Sequence, residues 1–107
     1  MNFLQTLRAA NERRHQEWAA GADIPLSFRG LELAGEAGEA CNELKKIERA
    51  RLGMVGGQTD QAAIADELAD VLICLDLIAM DLQIDLEAVT RAKFNRTSVK
   101  YGLETQL

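Results

Sequence analysis

Four carboxylates in two short pairs, Glu36-x-x-Glu39 and Glu67-x-x-Asp70, are the residues of this chain best suited to chemistry. Each pair sits in a stretch whose other residues read as the buried side of a helix. A carboxylate in apolar surroundings must find a compensating charge or give up its own. No basic residues stand beside these four, so their chemistry calls for a divalent cation. Oxygen ligands without His or Cys favour Mg²⁺, with Mn²⁺ as substitute, over zinc or copper. A carboxylate-bridged di-iron bundle needs two Glu-x-x-His motifs, and His15 is the single histidine.

A cluster of carboxylates holding Mg²⁺ suits a phosphorylated substrate. The cation bridges phosphate oxygens, neutralises developing charge and lowers the pKa of a bound water. Glu36 and Glu39 are the candidates for activating that water. Other acids lie nearby: Glu32, Glu36, Glu39 and Glu43 follow 4, 3, 4 spacing and fall on one arc of a helix. Glu43 and Glu48, close to Lys45, Lys46 and Arg49, read instead as a solvated face.

Two further groups could contact a substrate. Lys93, Asn95, Arg96 and Lys100 form the densest set of donors toward the end of the chain, either binding phosphates or favouring a helix C-terminus. Asn11, Arg14, His15 and Trp18 have i, i+3, i+4, i+7 spacing and share one helix face. There a base could stack on Trp18 while Asn11 or His15 reads its edge. The competing reading makes Trp18 a core anchor.

These residues must be positioned by helices. The 107-residue chain fits one domain over 1–107, with 48% apolar and 27% charged residues and a single Pro. The pattern predicts four main helices: Asn2 to Ala19, Ser27 (as N-cap) to about Leu52, Thr59 or Asp60 (as cap) to about Leu82, and a last one capped by Asp85 and ending near Asn95 to Ser98. Gly53 is placed as a C-terminal cap. The third is apolar on most faces, as a helix central to a bundle is. Antiparallel packing of the second and third would bring the acid pairs face to face. Gly35 and Gly38, each disfavoured in a helix by roughly 0.5–1 kcal/mol against Ala, suggest a close approach of another backbone. Cys41 and Cys74 read as small buried hydrophobes.

A net charge of −5 argues against binding a nucleic-acid polymer. No run of about 18 apolar residues suggests a membrane span, no signal-peptide layout is visible, and a cytoplasmic protein is expected. A chain this short buries a modest share of its surface, so self-association is expected as well.

With these features in place, the sequence resembles the MazG-like all-α nucleoside triphosphate pyrophosphohydrolases. The resemblance is carried by E-x-x-E in GEAGEACNELKK, E-x-x-D in DELADVLICLDL, the end segment KFNRTSVKYG and NERRHQEW in the first helix. It implies an all-α bundle of four to five helices, assembled as a homodimer or homotetramer. It further implies Mg²⁺-dependent cleavage of a (deoxy)nucleoside triphosphate between the α and β phosphates, giving the monophosphate and pyrophosphate, in sanitation or adjustment of nucleotide pools. Glu36, Glu39, Glu67 and Asp70 inherit metal coordination; Glu32 and Glu43 do not match the motif. Lys93 and Asn95 lie in the part of the end segment most like the family. The alternative to an enzyme is a helical interaction module whose acidic face binds a partner protein.

Overall fold

Capping chemistry and glycine breaks cut the chain into four α-helices with no strands, described here for residues 1–107 from a computed structural model. Helix α1 spans Phe3–Ala19. Asn2 is its N-cap and completes a capping box: its side chain accepts from the Gln5 amide at 2.8 Å, and the Gln5 side chain accepts from the Asn2 amide at 3.0 Å. Helix α2 spans Leu26–Arg51. Its N-cap is Pro25, two positions before the expected cap Ser27. Pro25, at φ −72° and extended, pre-sets the entry, and no side chain caps the helix. Gly53 follows the end of α2 at φ +72°, the left-handed geometry expected of a glycine stop.

Helix α3 spans Ala62–Asp81 and α4 spans Leu86–Lys100. Gln61 is the N-cap of α3, while Asp60 accepts from the Ala62 amide at 2.9 Å. Asp85 caps α4 through the Ala88 amide at 3.1 Å, and α4 runs on to Lys100, past the expected end near Ser98.

Helices α2 and α3 form the main packing unit and α1 lies against α3. Their direction is fixed by side-chain pairs: Arg29 near the start of α2 bonds Asp81 at the end of α3, while Glu43, farther along α2, meets Gln58 just before α3. The pair is therefore antiparallel. Ala40 on α2 and Ile64, Cys74 and Ala79 on α3 are its buried apolar residues. Gly57 closes the α2–α3 connection against α2 so tightly that a Cβ there would stand 2.4 Å from the Ala50 amide nitrogen.

Several expectations about burial are corrected. Helix α3 is not surrounded, since Leu68, Leu75 and Leu82 remain exposed. Cys41 is exposed and only Cys74 is buried. A Cβ at Gly35 or Gly38 would meet nothing within 4 Å, so no backbone of this chain approaches them. The radius of gyration is 17.2 Å, against about 13 Å for a compact chain of similar length. Helix α4 accounts for much of the excess: it is tied to the rest through contacts such as Asn2 with Glu87. No helix is long and apolar enough to cross a membrane.

Candidate metal and ligand site

The antiparallel pairing of α2 and α3 sets carboxylates from both helices against each other. One oxygen each from Glu36, Glu67 and Asp70 lie within 4.8 Å of one another. Oxygen ligands at about 2.0–2.6 Å from one ion stand up to about 5 Å apart, so one cation could bridge this group. Oε2 of Glu36 and Oε2 of Glu67 are buried and have no hydrogen-bond partner. Buried acceptors left in that condition are costly. Protonation or a cation relieves the cost.

The electrostatics agree with the geometry. Glu67 is pushed up to about 7, first by burial, then by contact with Glu39 and the charges of Glu39, Glu36 and Asp70. Glu36 is also raised, by burial first and then by the charges of Glu39 and Asp70. Glu39 itself is exposed and stands outside the three-oxygen group, yet close enough to act on both neighbours.

Glu36 and Asp70 also border a cavity of about 480 Å³. Helix α1 supplies part of its wall: Asn11, Arg14, His15 and Trp18 all line it, on the single face that their spacing gives them. Trp18 is 81% exposed, so it lines a ligand-sized opening and does not anchor the core. The volume falls in the ordinary range for small-molecule sites, about 300–1,000 Å³. Cys74 borders the same space, its thiol pushed up by burial and then by Glu32 and Glu36.

No family model matches the chain. The Gene 37 protein of Mycobacterium phage L5 is similar, with 35% identity over 71 residues, covering 66% of this chain and 61% of that protein. The chain thus spans about three-fifths of the relative's length, and the relative's name states no activity. No solved structure matches.

Helix α4 stands apart from the cavity. Lys93, Arg96 and Lys100 are exposed, and Asn95 is engaged locally, accepting from the Leu107 amide at 2.8 Å. None of the four lines the cavity within one chain. The physical reason is that α4 leaves the α2–α3 pair after Leu82 and extends away from it.

Two charged residues at the site were not singled out by spacing. Arg29 is only 5% exposed. Its Nε donates to Asp81 Oδ2 at 2.8 Å, Nη1 reaches Glu32 at 3.5 Å, and Nη2 lies 3.3 Å from His15 Nδ1. Asp76 is fully buried and accepts from Arg8 Nε and Nη2 and from Asn11 Nδ2. Its signal was present in the sequence, a lone acid inside the apolar run LICLDLIAM. Arg29 carried none, because its partners come from three different helices. Glu32 lines the cavity and takes Arg29, whereas Glu43 is spent on Lys46 and Gln58, away from the three-oxygen group.

Proposed function

We propose that the chain is a Mg²⁺-dependent nucleoside triphosphate pyrophosphohydrolase that cleaves between the α and β phosphates, with Mn²⁺ as a substitute metal. One observation carries this reading: carboxylates from two facing helices converge at one end of a nucleotide-sized cavity, two of them with a buried, unpartnered oxygen. Glu36, Glu67 and Asp70 would hold the cation. Once bound, it supplies neutralisation of phosphate oxygens and a lowered pKa for an attacking water.

The protein groups then divide the remaining work. Glu39, beside the three-oxygen group but outside it, is the carboxylate left to take a proton from the attacking water. Water attacks the α-phosphorus, and pyrophosphate leaves. Arg14 and Arg29 both line the cavity, and with Arg29 held by Asp81 and Glu32, Arg14 is the cation left to meet phosphate. Trp18 offers its ring face to the base. The donors of α4 reach a substrate only in an assembly of two or four copies, which the exposed apolar side chains favour.

An interaction module reading would place the acids on a solvated face. Burial of an oxygen on each of Glu36 and Glu67 argues against that use. The test is incubation of the purified protein with canonical and modified triphosphates, with and without Mg²⁺, followed by assay of monophosphate and pyrophosphate. Pyrophosphate released only with the metal supports the reading. Orthophosphate release would reject the cleavage position, and no release from any triphosphate would reject the activity.

A further inference from the structure

Asn11 and His15 stand one turn apart on α1, and each is hydrogen-bonded by one member of an ion pair that bridges two helices. Behind His15 is Arg29 of α2, itself held by Asp81 of α3. Behind Asn11 is Asp76 of α3, itself held by Arg8 of α1 at 3.0 Å. Both α1 residues line the cavity of about 480 Å³, as does Arg29, while Asp76 lies outside it. We propose that Arg29 and Asp76 are positioning residues that fix the hydrogen-bonding polarity of this wall, making His15 a donor through Nε2–H and Asn11 an acceptor through Oδ1.

The chemistry of the partners decides each orientation. A guanidinium has five N–H donors and no acceptor, so the His15 nitrogen facing Arg29 must be the bare one. Nδ1 therefore carries no proton, and the ring's proton sits on Nε2, its only polar atom left for the cavity. Asp76, ionised beside Arg8, is acceptor-only. The Asn11 amide must turn its NH₂ toward it, as observed at 3.0 Å, which leaves Oδ1 with no partner inside the chain. Asn11 is only 2% exposed, and it borders the cavity, so a group bound there is the partner placed to reach Oδ1.

A wall that offers one acceptor and one donor is matched by a planar ring edge carrying both a donor and an acceptor. A phosphate group, acceptor-only when ionised, matches His15 and is repelled by Asn11 Oδ1. Asn11 and His15 thus take the heterocyclic base, and the phosphates lie toward Glu36, Asp70 and Arg14. The identity of the ligand rests on the pyrophosphohydrolase reading; the polarity of the wall does not.

The single histidine makes the test direct. Long-range ¹H–¹⁵N spectra of the uniformly labelled full chain are recorded at alkaline pH, where a neutral imidazole shows which nitrogen carries its proton. The expected result is one tautomer, Nε2–H, which relaxes to the mixture of an unconstrained imidazole in Arg29→Met, with circular dichroism reporting the fold. A mixture or an Nδ1–H ring in the unsubstituted protein would overturn the proposal whether or not the variant folds. Addition of a nucleoside monophosphate without metal should move the Nε2 resonance and leave the Asn11 NH₂ in place; movement of that NH₂ instead would overturn the Asn11 assignment. In steady-state assays Arg29→Met should raise KM about ten-fold with kcat little changed, the size expected for one lost hydrogen bond, and Arg29→Lys should restore part of it. An unchanged KM would overturn the functional role. Loss of hydrolysis with every triphosphate, alongside a single His15 tautomer, would sink the enzyme reading and leave this one standing.

Discussion

Glu36 on α2 and Glu67 on α3 meet across the helix pair with Oε2 of each carboxylate buried and offered no donor by any residue of the chain. Two acids arranged in this way oppose each other until something positive comes between them. Several measurable properties follow from that opposition.

Mg²⁺ should stabilise the fold. A ligand that binds only the folded state adds about 2.7 kcal/mol at 100 times its Kd, which for a domain of this size raises Tm by roughly 10 °C or more. Thermal scans with Mg²⁺ and with a chelator should show the difference. Glu36→Gln and Glu67→Gln should each remove most of it while leaving the metal-free protein at least as stable, because each relieves a like-charge contact. Equal metal responses in the parent and both variants would remove these residues from the site.

The metal-free protein should lose stability as pH rises toward neutrality. Glu67 titrates at about 7 when folded, raised by burial and by Glu39, against 4.5 as its ordinary value. Between those two values the folded state holds more protons than the unfolded one, so unfolding free energy falls with pH across that window. Denaturant titrations at pH 4.5 to 7.5 in chelator should show the fall, and Glu67→Gln should flatten it. Cation binding runs the other way, weakening as pH drops below 7, because the metal competes with that proton.

Glu39 and Glu43 separate function from surface. Glu39 acts on Glu67 and stands beside the three-oxygen group, whereas Glu43 accepts from Lys46 at 3.0 Å and bonds Gln58. Glu39→Ala should reduce pyrophosphate release by about 10²-fold or more, the range of a lost general base. Glu43→Ala should change it little. Comparable losses at both positions would mean that the division between the two acids is wrong.

The acid pairs were legible because a helix repeat and an apolar context are local properties, visible at Glu36 and Glu67 without knowing what packs where. The four helices were legible for the same reason, through Asn2, Gly53 and Asp85 at their ends. The roles of Arg29 and Asp76 depend on partners 52 and 65 residues away in sequence, Asp81 and Asn11, and no local pattern marks such pairs. Ser27 misled because a good capping residue lies within two positions of Pro25, whose fixed φ already starts the helix. Cys41 misled because apolar type was taken as burial, and a 107-residue chain with only a few fully buried residues leaves much apolar surface outside.

Loss of Arg8 should be among the more damaging substitutions outside the acid cluster. Its guanidinium grips Asp76, which is wholly buried, and also donates to the Ile84 carbonyl at 2.9 Å, tying α1 to the α3–α4 turn. Removing one partner of a buried pair leaves an uncompensated charge and costs about 3–5 kcal/mol. Urea unfolding of Arg8→Ala should show a drop of that order. The double variant Arg8→Leu with Asp76→Leu should recover part of it, since no charge is then left buried.

Self-association should run through one stripe of α3. Leu68, Leu75 and Leu82 recur every seven residues and so lie nearly in line along the helix, and they are 56%, 41% and 48% exposed. Each large apolar side chain left in water forfeits up to roughly 1.5–3 kcal/mol that burial would supply. A second copy covering this stripe would recover it, and the extended shape with α4 standing clear leaves room for one. Sedimentation equilibrium should give two or four chain masses. Leu75→Glu should shift the protein to single chains without unfolding the α2–α3 pair, since Leu75 is 41% exposed within one chain. If the parent sediments as a single chain at micromolar concentration, or if Leu75→Glu leaves the assembly intact, the stripe is not the interface.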